Sequence, residues 1–401
     1  MSRRILFVDD ETMVLKGLER SLRGMRKEWE MEFVPGGPEA LEAMARAPFD
    51  VVISDMRMPG MDGAQLLDLV KERFSQTVRI VLSGQSDKDA VFRAIRPAHQ
   101  YLSKPCDIEE LKQKLKRALA LRDVLDNPEL KQRVSQVETV PSLPSFYQAL
   151  RTQLESPHPS LGEIAILVSR DPGMTAKLLQ LVNSAFLGAA SCLSCSQQAI
   201  SIIGLDNLSS LVSSVGLFSE LPQALGMLAP LWRHAYLTAR FAKAIARCEQ
   251  ASDTAVQDSY AAGLLHEIGW IVLAAAWGEQ FQLQCSSLEG GIPRVDNERA
   301  AFGGTHEQVG AYLLGLWGLP DSIIEAVAWH HAPSEVHPAS FCPLLAVHVA
   351  DCYDRQLHLS SPLTGDHAID EDLLAQLGLQ DRLPVWRKRC QEIFENEEHH
   401  G

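Results

Sequence analysis

Strict alternation of short apolar runs with helical patterns over the first 121 residues constrains the fold more than any other feature of this chain. The runs RILFVDD, MEFV, DVVISD, RIVLSG and QYLSK read as strands. Between and after them, a segment through Leu22 and the segments 38–46, 63–74, 87–95 and 107–121 read as helices. Strand and helix in strict succession predict an α/β domain, a doubly wound five-stranded parallel sheet spanning residues 1–121. Ligands of such sheets bind beyond the carboxyl ends of the strands.

Acidic residues stand at those ends. Asp9 and Asp10 close the first strand and Asp55 closes the third. Carboxylates converging on one crevice repel each other, so a cation must neutralise them. Hard oxygen ligands favour Mg²⁺, held by Asp9, Asp10, Asp55 and the backbone carbonyl of Arg57. Lys104 at the end of the fifth strand can place a point charge on a phosphate, and Ser83 at the end of the fourth can offer a hydroxyl. One such group per strand end, in this order, describes a metal-assisted phosphoryl-transfer site.

The stretches FVDDE, SDMRMPGMDG, LSG and Tyr101-Leu-Ser-Lys104-Pro105 resemble the receiver domains of two-component response regulators. The resemblance implies that Asp55 accepts a phosphoryl group from the phosphohistidine of a sensor histidine kinase, forming an acyl phosphate. It also implies a cis Lys104-Pro105 bond, and a switch in which Ser83 and Tyr101 move together.

Leu111, Leu115 and Leu119 recur at helical spacing in the last helix of this domain, a face that can pack on its own sheet or dimerise. Asn127-Pro128 then breaks the pattern, and a charged helix leads to the proline-marked VPSLPS. Residues 122–138 read as a helical linker. From Ser145 onward helix follows helix, so residues 139–355 read as an all-α domain and 356–401 as a helical extension. The helices expected there cover 146–155, 161–169, 174–185, 228–246, 255–276, 306–317, 323–331 and 344–353.

Metal sites in helical bundles are built from His and carboxylate side chains on facing helices. His234, His266 with Glu267, His306, His330 with His331, and Asp351 form such a candidate set. The stretches DPGMTAKLLQLVNSAFLG and AISIIGLDNLSSLV resemble the HDOD output domain, with GLLHEIGW at its HD-type position. HDOD domains are relatives of the HD and HD-GYP metal-dependent phosphohydrolases. That relationship implies an HD-like fold and places the candidate set at ligand positions for Fe, Mn or Zn, with Glu298 ahead of His306.

Three departures bear on activity. Glu267 stands where those enzymes carry aspartate, so the carboxylate sits about 1.5 Å farther out. Trp270 replaces a lysine, and His330-His331 continues as APSEV without a GYP loop. The expected function is therefore a response regulator whose HDOD domain is a largely non-catalytic module binding a protein or nucleotide partner. The alternative is a metal-dependent phosphodiesterase acting on a nucleotide such as a cyclic dinucleotide.

Charge excludes one class. Up to residue 121 there are 20 Lys+Arg against 19 Asp+Glu, and beyond it 17 against 32. An acidic second half repels a phosphate backbone, and no basic recognition helix is present, so DNA binding is not expected. No run of about 18 apolar residues marks a membrane span, and WIVLAAAW at 270–277 reads as a buried helix. Without an apolar leader segment the expectation is a cytoplasmic protein. Cys192 and Cys195 form a lone CxxC pair, a weak redox or metal candidate.

Overall fold

A computed structural model describes residues 3–84, 97–105, 107–121, 124–183, 193–286, 295–357 and 368–398. Its first part holds β1 (Arg3–Val8), α1 (Thr12–Ser21), β2 (Trp29–Val34), α2 (Gly37–Arg46) and β3 (Val51–Asp55). It continues with α3 (Gly63–Arg73), β4 (Val78–Gly84), β5 (Gln100–Lys104) and α4 (Ile108–Leu121). All pairings are parallel and the strand order is β2-β1-β3-β4-β5. The helix expected over 87–95 lies outside the described residues. β3 is buried at every position, as a central strand covered on both faces must be.

Sequence chemistry sets the loop that follows β3. Gly60 takes φ +80°, open to glycine at no steric cost. Gly63 lies so close to β3 that a Cβ there would overlap the Asp55 carbonyl oxygen. Asp62 and Gln65 then close a reciprocal capping box on α3.

Helices make up the remainder: α5 (Pro128–Ser135), α6 (Pro144–Leu154), α7 (Leu161–Ser169), α8 (Pro172–Val182), α9 (Ser196–Ile203) and α10 (Leu205–Ser210). After them come α11 (Ala229–Cys248), α12 (Asp253–Leu265), α13 (Ile268–Trp277), α14 (Glu279–Ser286) and α15 (Val295–Phe302). The last described helices are α16 (His306–Leu316), α17 (Asp321–Trp329), α18 (Pro343–Leu357), α19 (Glu371–Gln376) and α20 (Leu383–Glu398). Among the described residues the second half pairs strand-like only at one bridge, Ser142 with Glu220.

The helix expected over 255–276 is two helices. The chain turns at His266-Glu267, and α12 and α13 leave that turn separately. The apolar run Asp253–Trp277 is long and apolar enough for a membrane span by composition alone, but 83% of its best window is buried inside the protein. It is core.

The linker is packed rather than free. Leu121, Leu125, Leu130 and Val134 belong to one apolar cluster that runs from the sheet into the helical half. Leu111, Leu115 and Leu119 are buried in the same cluster, so the face that could have dimerised is covered within the chain. Helix α20 also folds back, burying Trp386, whose indole N–H donates to Glu249 at 2.8 Å.

Candidate functional sites

Two sites assemble, one in each half. In the first, Asp55 at the end of β3 is almost fully buried, and its Oδ2 accepts the Arg57 backbone N–H at 2.9 Å. Lys104 at the end of β5 pairs with Asp55 and reaches Asp9 Oδ2 at 2.7 Å. The other Asp9 oxygen accepts from Glu11 N at 2.9 Å. Asp10, next along the chain, is exposed. Burial raises the pKa of Asp55 against the opposing pull of Lys104, and the two aspartates raise that of Lys104 against its own burial.

Among the described residues each carboxylate oxygen of Asp9 and Asp55 has a single neighbour of this kind and retains a lone pair. This hard oxygen donor set fits Mg²⁺. The Lys104-Pro105 bond is cis, as expected. Tyr101 is buried in β5. Ser83 is in register with Ser103 at the end of β4, and its side chain lies outside what the structure describes.

The second site gathers every candidate of the helical half. His234 comes from α11, His266 and Glu267 from the turn between α12 and α13, and His306 from the first turn of α16. His330 and His331 follow α17, and Asp351 lies in α18. Two sets of donor atoms result, each within 4.8 Å of one another: Glu267, His306, His330 and His331, and His234, His266, Glu267 and Asp351.

Close helix contacts make this convergence possible. A Cβ at Gly269 would overlap the His306 carbonyl oxygen, and one at Gly263 would lie 2.8 Å from Ala239 Cα. The glycines of GLLHEIGW thus let α12 approach α11 and α13 approach α16. The added methylene of Glu267 is absorbed by the turn, which brings its Oε2 to 3.1 Å from His306 Nε2.

Each imidazole in four of these positions is anchored through Nδ1. His306 Nδ1 lies 3.0 Å from the Glu298 carboxylate, and His234 Nδ1 lies 2.6 Å from Asp354. His266 Nδ1 lies 2.7 Å from the Gly263 carbonyl, and His330 Nδ1 lies 2.9 Å from that of Val327. A donor hydrogen at Nδ1 leaves Nε2 as the inward lone pair, which is how metal-ligating histidines are oriented. Buried polar atoms normally find hydrogen-bond partners. Yet Glu267 Oε2, His306 Nε2 and His330 Nε2 are buried without a hydrogen bond. Orphaned nitrogen and carboxylate donors converging on one point fit a divalent transition metal.

The buried carboxylates favour positive charge on His306 and His234, whereas burial and the neighbouring imidazoles push His330 the other way. Burial would lower the His306 pKa, but Glu298 and Glu267 push it up to about 10. Burial likewise opposes protonation of His234, and Asp351 and Asp354 push its pKa up to about 9. Glu267 is held well below the carboxylate range because His306, His266 and Arg355 outweigh its burial.

Several participants escaped the sequence reading. Arg355, one turn after Asp351, donates to Asp351 Oδ1 at 2.7 Å and to Glu267 Oε1 at 2.8 Å. Asp354 supports His234. Trp270, singled out in the sequence for replacing a lysine, stacks on His306 with ring centroids 5.3 Å apart. The i, i+4 spacing of Asp351 and Arg355 was visible, but nothing local marks Arg355 as facing the cluster. Of the CxxC pair, Cys195 is a free thiol and Cys192 lies outside the described residues.

Comparison with known proteins agrees with this division. Residues 5–116 match the response regulator receiver domain family, and residues 140–333 match the HDOD domain family. A protein of Treponema pallidum is 31% identical over 262 residues, covering 63% of this chain and 48% of its own length. The DNA-binding transcriptional regulator NtrC of Escherichia coli is 39% identical over 122 residues, 30% of this chain and 26% of its own. The chain thus spans less than half the length of these curated relatives. Among solved structures, the MmoQ response regulator of Methylococcus capsulatus is 21% identical, covering 62% of this chain and 98% of that one, with a TM-score of 0.47. The signal receiver domain of an HD domain-containing protein from Pseudomonas fluorescens is 32% identical over 31% of this chain and 98% of that one, with a TM-score of 0.29.

Proposed function

Since this chain belongs to the response regulators that join a receiver domain to an HDOD output domain, we propose that a phosphoryl group transferred from a histidine kinase to Asp55 controls a metal-binding centre in the helical half. The observation that carries the input is the Asp9–Asp55–Lys104 constellation at the strand ends. Asp55 offers the nucleophilic oxygen, the Arg57 N–H orients the carboxylate, and Lys104 supplies a positive charge for the incoming phosphoryl oxygens. Mg²⁺ held by Asp9, Asp10, Asp55 and the Arg57 carbonyl would neutralise the remaining charge. Such a phosphorelay component acts in the cytoplasm.

Incubation with a small phosphodonor and Mg²⁺ should label the protein, and Asp55→Asn should abolish the label. Acid-labile phosphate persisting in that variant would refute the assignment.

For the output two readings stand. The HDOD domain as a non-catalytic module, binding a protein or nucleotide partner, follows from family membership and from the missing GYP loop. The orphaned donors at Glu267, His306 and His330 favour the second, an HD-type phosphohydrolase centre. A bound Fe, Mn or Zn ion would there acidify water and polarise a phosphoryl oxygen. The chain's own part is to fix the imidazoles through Glu298, Asp354 and two backbone carbonyls, and to cover His306 with Trp270.

Metal analysis of purified protein, followed by a phosphodiesterase assay with Mn²⁺ or Fe²⁺, separates the two. Metal retained by the wild type and lost in the His266→Ala, His330→Ala double variant supports the centre. Turnover of a cyclic dinucleotide removes the non-catalytic reading, and metal-free, inactive protein removes the hydrolase.

A further inference from the structure

We propose that the Arg355 guanidinium takes the place of a second cation in this centre, so that each chain holds one metal ion, in the Glu267–His306–His330–His331 set. The inference rests on reading the cluster as a metal site.

The two donor sets share Glu267 but use different oxygens. Oε2 faces His306 at 3.1 Å, while Oε1 lies 3.8 Å from the Nε2 atoms of both His234 and His266. In the first set Glu267 Oε2, His306 Nε2 and His330 Nε2 make no hydrogen bond despite full burial. The second set has no such vacancy. Glu267 Oε1 accepts from Arg355 Nη2 at 2.8 Å, and Asp351 Oδ1 accepts from Arg355 Nε at 2.7 Å. The same Asp351 oxygen lies 3.1 Å from His234 Nε2, which is itself 3.0 Å from His266 Nε2. Both Nε2 atoms are thus engaged with each other, through one further proton shared between the two imidazoles, and Glu267 Oε1 and Asp351 Oδ1 are held by the guanidinium.

Arginine holds this place more firmly than a protonated histidine could. A proton leaves an imidazole when a metal arrives, but a guanidinium stays charged in proteins and must move bodily. Its side chain is only 12% exposed, and it forks across the two carboxylates from one turn away on α18. A divalent ion entering the second set would compete for the same two oxygens and meet a fixed like charge beside it. The first set lies on the other oxygen of Glu267 and loses none of its donors to Arg355.

The test is metal stoichiometry in the full-length protein. Wild type, Arg355→Met and Asp351→Asn are loaded with excess Mn²⁺, desalted and measured by elemental mass spectrometry, with electron paramagnetic resonance reading spin coupling between neighbouring ions. Wild type should hold one uncoupled Mn²⁺ per chain. Arg355→Met, which keeps bulk and loses charge, should hold two that couple. Asp351→Asn should keep one, because the occupied set does not include it.

Two coupled ions in the wild type would overturn the inference and leave the metal centre standing. A single ion in Arg355→Met would overturn the role given to Arg355, and loss of the ion in Asp351→Asn would overturn the choice of set. No Mn²⁺ in wild type or Arg355→Met would overturn the metal-centre reading and the inference with it.

Discussion

Glu298 shows how one carboxylate can govern a ligand it does not replace. Its two oxygens accept the backbone N–H of His306 at 2.6 Å and face the ring at 3.0 Å, which fixes both the entry of α16 and the direction of Nε2. Glu298→Gln should lower metal affinity by about 10–100-fold, the usual cost of losing a supporting carboxylate. Titration of the metal-free protein with Mn²⁺ measures this, and an unchanged affinity would show that Glu298 serves the fold alone. Gly269 makes a steric demand at the same point. Gly269→Ala places a methyl group on the His306 carbonyl oxygen and should destabilise by at least about 1–3 kcal/mol. Thermal unfolding reads the loss.

At the scale of elements, the motif that most resembled an output signature is a packing device. Asp171 caps α8 by accepting Met174 N at 2.8 Å. It also accepts from Ser142 Oγ and Trp232 Nε1, each at 2.8 Å, so one buried carboxylate ties α8 to the segment just before α6 and to α11. Gly173 leaves room for the Val140 carbonyl, 2.5 Å from where a Cβ would stand. Lys177, buried, donates to the Glu138 carbonyl at 2.7 Å. Asp171→Ala removes the cap and leaves an indole N–H and a hydroxyl without acceptors, a cost of about 2–5 kcal/mol. Denaturant unfolding should show it, and a loss below about 1 kcal/mol would mean that water replaces the carboxylate.

Across the whole molecule, α16 runs from the histidine cluster to the receiver sheet. Its first residue is His306, and its far end meets the receiver about 16 Å away by helix rise. There Gln100 at the start of β5 donates to the Gly315 and Leu316 carbonyls at 3.3 and 3.0 Å. Tyr312 bonds Ser135 Oγ at 3.0 Å, and the Ser135 carbonyl accepts from the buried Arg79 of β4 at 3.1 Å. Arg117 of α4 pairs with Asp321 at 2.6 Å, but Asp321 is so exposed that this pair adds little. These contacts offer one route, along β5 and α16, by which a change at Asp55 would reach the His/carboxylate cluster under the proposed function. Hydrogen exchange in α16 should therefore respond to phosphodonor in the wild type and respond less in Gln100→Ala. An equal response in both would exclude this route.

The sequence by itself determined the alternating α/β half, the strand-end acids and lysine, and the identity of all seven candidate donors, because strand period, helix period and ligand chemistry are local properties. The exposed Asp10, the break of the expected long helix at His266-Glu267 and the burial of the linker were not legible, since each depends on what packs against it. The same holds for the residues that support the His/carboxylate cluster. Glu298 carries a spacing that a resemblance can point to and Trp270 stands out as a departure from it, whereas Asp354 and Arg355 look like ordinary helical residues until α11, α13, α16 and α18 are brought together. Tertiary structure alone decided which Glu267 oxygen is free and which is held by a guanidinium, because that choice is made by side chains far apart in sequence competing for one buried carboxylate.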